Sequence, residues 1–97
     1  MKAVFIVYNH AITEEILEIL ETLDIKGFTK WNNIQGTGTS SGEPHLGTHT
    51  WPSLNDAILT VIEESKYITF SSALRELNNS LPEQGLRTFA WDAEVIV

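Results

Sequence analysis

The hydrophobic and polar positions of this chain fall into six patterned blocks and one stretch without a pattern. Residues 3–8 (AVFIVY) form an unbroken apolar run, β-branched and aromatic, the pattern of a strand buried on both faces and so central in its sheet. Asn9-His10-Ala11 breaks the run. Ile12, Ile16, Ile19, Leu20 and Leu23 then recur at helical spacing, with Glu14, Glu15, Glu18 and Glu21 on the other faces. That pattern predicts an amphipathic helix capped by Asn9 or Thr13, its early Glu pair matching the positive end of the helix dipole, and closed by Asp24 and Gly27. Residues 28–35 (FTKWNNIQ) read as a second strand, with Phe28, Lys30, Asn32 and Ile34 on one face and a mixed polarity that suits a sheet edge. Residues 36–52 (GTGTSSGEPHLGTHTWP) lose all periodicity. A stretch of this length without a pattern is uncommon inside a compact domain and is usually functional. Residues 57–62 (AILTVI) are again a buried strand. After a polar break at Glu63-Glu64-Ser65, Phe70, Leu74, Leu77 and Leu81 mark a second helix that Asn78, Asn79 and Pro82 terminate. Gln84-Gly85 turns the chain, and residues 87–97 give a last strand.

The order strand, helix, strand, strand, helix, strand is the ferredoxin-like split βαβ arrangement of an α+β protein: one four-stranded antiparallel sheet with two helices on one face. Right-handed crossovers place the first and third strands in the middle, and those two are the continuous apolar runs. Two helices cover only one face of the sheet, so the other face calls for self-association. With 97 residues and 42% hydrophobic content, the chain suits a single domain, 1–97, with one core.

Charge and inventory narrow the function. A formal net charge of −7, with six Lys and Arg against thirteen Asp and Glu, disfavours nucleic acid and anionic membrane surfaces as partners. There is no cysteine, which excludes disulfides, thiolate metal sites and a Cys nucleophile. The opening MKAVFIVYNH is too short in its apolar run for a signal peptide, and no stretch reaches the ~18 apolar residues that span a bilayer, so the expectation is a cytoplasmic protein without membrane insertion. GxSxG, Walker A and HExxH are all missing, and Gly36-x-Gly38 lacks the third glycine and the following helix of a dinucleotide fingerprint; the reading is not an enzyme. Glu14-Glu15 and Glu63-Glu64 flank helices and read as solvated charge rather than an acid/base pair.

At this point the chain resembles a known family. Ile25-Lys26-Gly27-Phe28, between the first helix and the second strand, and Gly36-Thr37-Gly38 followed by Gly42, just after the second strand, resemble the corresponding link and the start of the T-loop in PII signalling proteins. The element order extends the likeness over the whole chain; the copper-tolerance CutA proteins, which share the fold, are more distant. The resemblance implies a homotrimeric regulatory protein, sheets facing inward, that binds a small ligand at the base of the 36–52 loop and uses this T-loop-like segment to control a partner protein such as a membrane transporter. It places Gly36, Thr37, Gly38, Thr39 and Ser40 where backbone amides approach an adenine nucleotide. The family's glycine-rich, lysine-bearing segment before the last strand is shortened here to residues 82–86, leaving Arg87 as the nearby cation. The family's arginines after the last strand and its T-loop tyrosine have no counterpart. So little positive charge fits a nucleotide monophosphate better than ATP.

The loop also carries chemistry of its own. Glu43, His45 and His49 can offer an oxygen and two imidazoles, a set that suits Zn, Cu(II) or Ni, and they define the alternative function: a transition-metal-binding protein linked to cation tolerance or efflux. The competing reading is that the histidines cap turns or touch a partner. Trp51, beside Pro52, is a candidate partner contact. Trp31 and Trp91 lie on strands as packing or interface residues. His10 follows the first strand and is expected at the end of the sheet opposite the loop base, away from His45 and His49.

Overall fold

The computed structural model describes residues 1–37, 44–48 and 53–97. In chain order they form β1 (Lys2–Asn9), a 3₁₀ turn (His10–Ile12), α1 (Thr13–Thr22), β2 (Phe28–Ile34), β3 (Asn55–Ile62), α2 (Glu64–Ser80), a second 3₁₀ turn (Pro82–Gln84) and β4 (Arg87–Asp92). The sheet runs β2-β3-β1-β4, antiparallel throughout, with the two apolar strands β1 and β3 in the middle. This is the expected ferredoxin-like arrangement, and the polar β2 is an edge strand.

Strand periodicity assigns the faces. Val4, Ile6 and Tyr8 on β1 and Ile58 and Ile62 on β3 meet Ile12, Ile16 and Leu20 from the first helical segment and Phe70 and Leu74 from α2 in one core. Burying each such side chain contributes roughly 1.5–3 kcal/mol. The opposite face carries Phe5, Val7, Leu59, Trp31, Phe89 and Trp91 in register across the sheet. Trp31 packs edge-on against Phe5, with ring centroids 6.3 Å apart. Trp31 (44%), Phe89 (51%) and Trp91 (49%) stay largely exposed, so this second face is apolar and uncovered in the single chain.

The local stops have identifiable causes. The Asn9 side chain accepts a hydrogen bond from the Ala11 N–H (2.9 Å) and so caps the 3₁₀ turn that feeds α1. At the far end, Asp24 takes a left-handed conformation (φ 56°), while Ile25 N–H bonds to Leu20 O (2.8 Å) and Asp24 N–H to Glu21 O (3.0 Å), a Schellman closure with Asp in the usual glycine place. Glu63 caps α2 without a side-chain bond, and Ser65 lies within the helix.

Two expectations need correction. The last strand ends at Asp92 rather than running to residue 97: the β1 ladder starts at Lys2, opposite Asp92, and beyond the Ala93 N–H bond to Met1 O no β1 residue is left to pair with. In β2, one extra residue lies between Trp31, opposite Ala57, and Ile34, opposite Asn55, so the simple alternation from Phe28 to Ile34 breaks. Asn33 absorbs this bulge with φ 56°.

Candidate functional site at the base of the 36–52 loop

Both legs of the loop are tied at its base. Gly36 and His45 exchange a pair of backbone hydrogen bonds, Gly36 N–H to His45 O at 2.8 Å and His45 N–H to Gly36 O at 2.6 Å. Gln35 Nε2 donates to Leu46 O (3.0 Å), and Gly47 N–H to Ser53 O (3.0 Å). The His45 ring is buried, with Nδ1 2.6 Å from Asn55 Oδ1 at the first position of β3. Gly36 must be glycine for this contact, since a Cβ there would run into the Asn55 side-chain amide. A third segment joins from the other side: Gly85, left-handed at φ 66°, lies so close that a Cβ would stand 3.2 Å from His45 Cε1. The loop base, the start of β3 and the turn before β4 therefore meet around one imidazole.

The next residue, Asp56, points to the opposite side of β3 and is completely buried. Its carboxylate accepts hydrogen bonds from His10 Nδ1 (2.8 Å), the Thr13 hydroxyl (2.7 Å), Lys30 Nζ (3.2 Å) and the Asn33 backbone N–H (2.9 Å). Lys30 Nζ also donates to Asn32 Oδ1. Burial pushes the Asp56 carboxyl up, and the donors from Asn33, Thr13, His10 and Lys30 outweigh it, leaving the group at about 2. A carboxylate can only accept, so the proton at each of these contacts belongs to its partner. Asp56 thus fastens the end of β1, the start of α1 and the β2 bulge to β3, directly behind the loop base.

Of the residues singled out from sequence, Gly36 and Thr37 stand on the outgoing leg and His45 on the returning one. Arg87 opens β4 opposite Val7, at the same end and on the uncovered side of the sheet. Gly38, Thr39, Ser40, Glu43, His49 and Trp51 lie outside the described residues. Asn55 holds Nδ1 of His45, so Nε2 is the nitrogen left for another partner. Among the described residues no group of three or more His, Asp and Glu is placed to hold a metal ion. The four lysines are each within ion-pair distance of an Asp, and among the described residues Arg75 and Arg87 are the cations without such a partner.

His10 is at the loop end of the sheet, not opposite it. Because β1 and β3 are antiparallel, the end of β1 lies beside the start of β3, where the 36–52 loop returns; Asn9 pairs with Asn55, and His10 N–H bonds to Leu54 O at 2.8 Å. His10 still does not contact His45, since the two rings are held by successive residues on opposite sides of β3. Asn55, Asp56, Lys30 and Asn33 went unnoticed in the sequence. The signal for Asp56 was its phase: it shares the alternation of Ile58 and Ile62, and a carboxylate in step with core residues must be paired.

No protein-family model matches the chain, and no curated protein matches it. Solved structures do. CPII, a nitrogen regulatory PII-like protein from Thiomonas intermedia K12, bound to ADP, AMP and bicarbonate, superposes with a TM-score of 0.76 at 17% identity, over 99% of this chain and 92% of that one. The same protein bound to ADP and bicarbonate gives 0.78 at 20% identity, over 97% and 86%. A PII-like signalling protein from Thermus thermophilus gives 0.66 at 20% identity, over 93% and 83%. The chain therefore has the PII-like fold from end to end. Among the described residues no helix is long and apolar enough to cross a membrane.

Proposed function

We propose that this chain is a PII-like regulatory protein, a homotrimer in the cytoplasm that binds an adenine nucleotide at the base of the 36–52 loop and passes the bound state to a partner protein, such as a membrane transporter, through that loop. The observation that carries the reading is the convergence of Gly36, His45, Asn55 and Gly85 at one end of the sheet, with Arg87 beside them as a cation that no carboxylate claims among the described residues. The backbone amides from Thr37 to Ser40 would approach the phosphate, with Gly36, whose own N–H is held by His45 O, setting the start of that run, and Arg87 would offset part of the charge. One free guanidinium suits AMP or ADP better than ATP, and the similar CPII structure is bound to ADP and AMP. The role is binding rather than catalysis: the ligand selects among loop conformations by its differential affinity for them.

Isothermal titration of the purified chain with AMP, ADP and ATP tests this. Saturable binding of AMP and ADP, weaker for ATP and weakened about tenfold in Arg87→Gln, is the expected result. No heat with any adenine nucleotide would remove the reading.

A second reading has one observation in its favour. The hydrogen bond that His45 Nδ1–H donates to Asn55 Oδ1 fixes the ring and leaves Nε2 for a ligand, as outer partners do in metal sites. In that reading Glu43, His45 and His49 bind Zn, Cu(II) or Ni. Binding of one of these ions that disappears in His45→Ala and His49→Ala would establish it, and a titration silent to all three metals would dismiss it.

A further inference from the structure

A second cleft lies away from the loop base, between α2 and β4 on the helical side of the sheet. It has a volume of about 300 Å³. Its origin is the pair of small residues that β4 turns toward α2, Thr88 and Ala90, opposite Ile6 and Val4. A larger side chain at either place would fill the space. The floor is core: Val4, Phe70 and Leu74 are buried. One wall carries Arg75 and Asn78, three residues apart and so neighbours along α2.

Arg75 is the informative group. The chain carries thirteen acidic residues against six Lys and Arg, so an arginine is rarely far from a carboxylate. Yet the residues three and four away on its own helix are Ser71, Ser72, Asn78 and Asn79, all neutral. Among the described residues it makes no ion pair. A guanidinium with an open fork, an amide beside it and an apolar floor beneath is the donor set for a small molecule that joins an apolar body to a carboxylate. A single arginine matches the single charge of a carboxylate.

We propose that this α2–β4 cleft is a binding site for a small apolar carboxylic acid, with Arg75 and Asn78 holding the carboxylate and Val4, Phe70 and Leu74 receiving the body. The site lies within one chain and does not depend on nucleotide binding at the loop.

Amide NMR of the full chain, titrated with phenylpropionate and in parallel with neutral phenylpropionamide, tests it. The expected result is saturable shifts along α2 from Phe70 to Asn78 and along β4 from Leu86 to Ala90, with the neutral amide at least about tenfold weaker. Arg75→Gln, at an exposed position, removes the preference for the acid. Ala90→Leu fills the cleft and abolishes binding while thermal unfolding shows the protein still folded. The proposal is overturned by the absence of saturable shifts, by shifts confined to the uncovered sheet face, by equal binding of acid and amide, or by binding that survives Ala90→Leu.

Discussion

Asp56 is a buried carboxylate that receives four donors from three neighbouring segments, and its replacement is the sharpest test at the scale of a single residue. In Asp56→Asn half of the side chain becomes a donor facing other donors, and Lys30 loses its counter-charge. The expected loss is about 2–4 kcal/mol in urea unfolding at neutral pH; a loss below about 0.5 kcal/mol would show that the cluster is not an anchor. The pH dependence has a definite sign. The carboxyl sits at 3.8 in its ordinary state and is lowered to about 2 in the fold. Its stabilisation is therefore complete above the ordinary value and is lost as the pH falls from there through about 2. At about 1.4 kcal/mol per unit, that is about 2–3 kcal/mol. Acid unfolding of the wild type should show this slope below about pH 4, and Asp56→Asn should flatten it. Sequence showed the phase of Asp56 but not its partners: His10, Thr13, Lys30 and Asn33 come from three other segments, and no local pattern ties them to one carboxylate.

At the scale of elements, the loop base depends on close approach. Gly36→Ala drives a methyl into the Asn55 side chain, which must then release His45 or push the outgoing leg aside. Over-packing of this kind costs about 1–3 kcal/mol. The His45 amide, which donates to Gly36 O, should exchange its hydrogen markedly faster in this variant, while core amides such as Ile58 change only with the global stability. Unchanged exchange at His45 would mean that the two legs are held together by something other than this contact. The strands and helices were legible because their apolar periods are long and their stops chemically marked. The β2 bulge was not, since the extra residue at Asn32-Asn33 is polar in a strand already polar and leaves no trace in the alternation. The end of β4 was not legible either: residues 93–97 look like strand, and only the register against Lys2 shows that the ladder has run out. For the candidate site, the sequence marks the glycine at position 36 but not that its missing side chain admits Asn55 and thereby holds His45.

For the whole molecule, the question is what covers the sheet face opposite the helices. Sequence already required a cover, because β1 and β3 are apolar on both sides, and the structure locates the exposed surface on Trp31, Val61, Phe89 and Trp91. Sequence could not show which strands supply it, since that follows from strand order and register. These side chains lie on one face in register across the sheet, and a second and third copy with the same face would bury it symmetrically. Phe89 is the residue to change: it is 51% exposed in the single chain, so a glutamate there leaves the monomer's own core untouched. In an inward-facing assembly the same glutamate would be buried without a counter-charge, next to copies of itself, at a cost of several kcal/mol for each. Light scattering on a sizing column should then give a trimer mass for the wild type and a monomer mass for Phe89→Glu, with similar far-UV circular dichroism for both. A wild type that elutes as a monomer would refute the inward-facing trimer. A trimer that survives Phe89→Glu would place the subunit contacts elsewhere, on the sheet edges or the helices, and with them any nucleotide cleft formed between subunits.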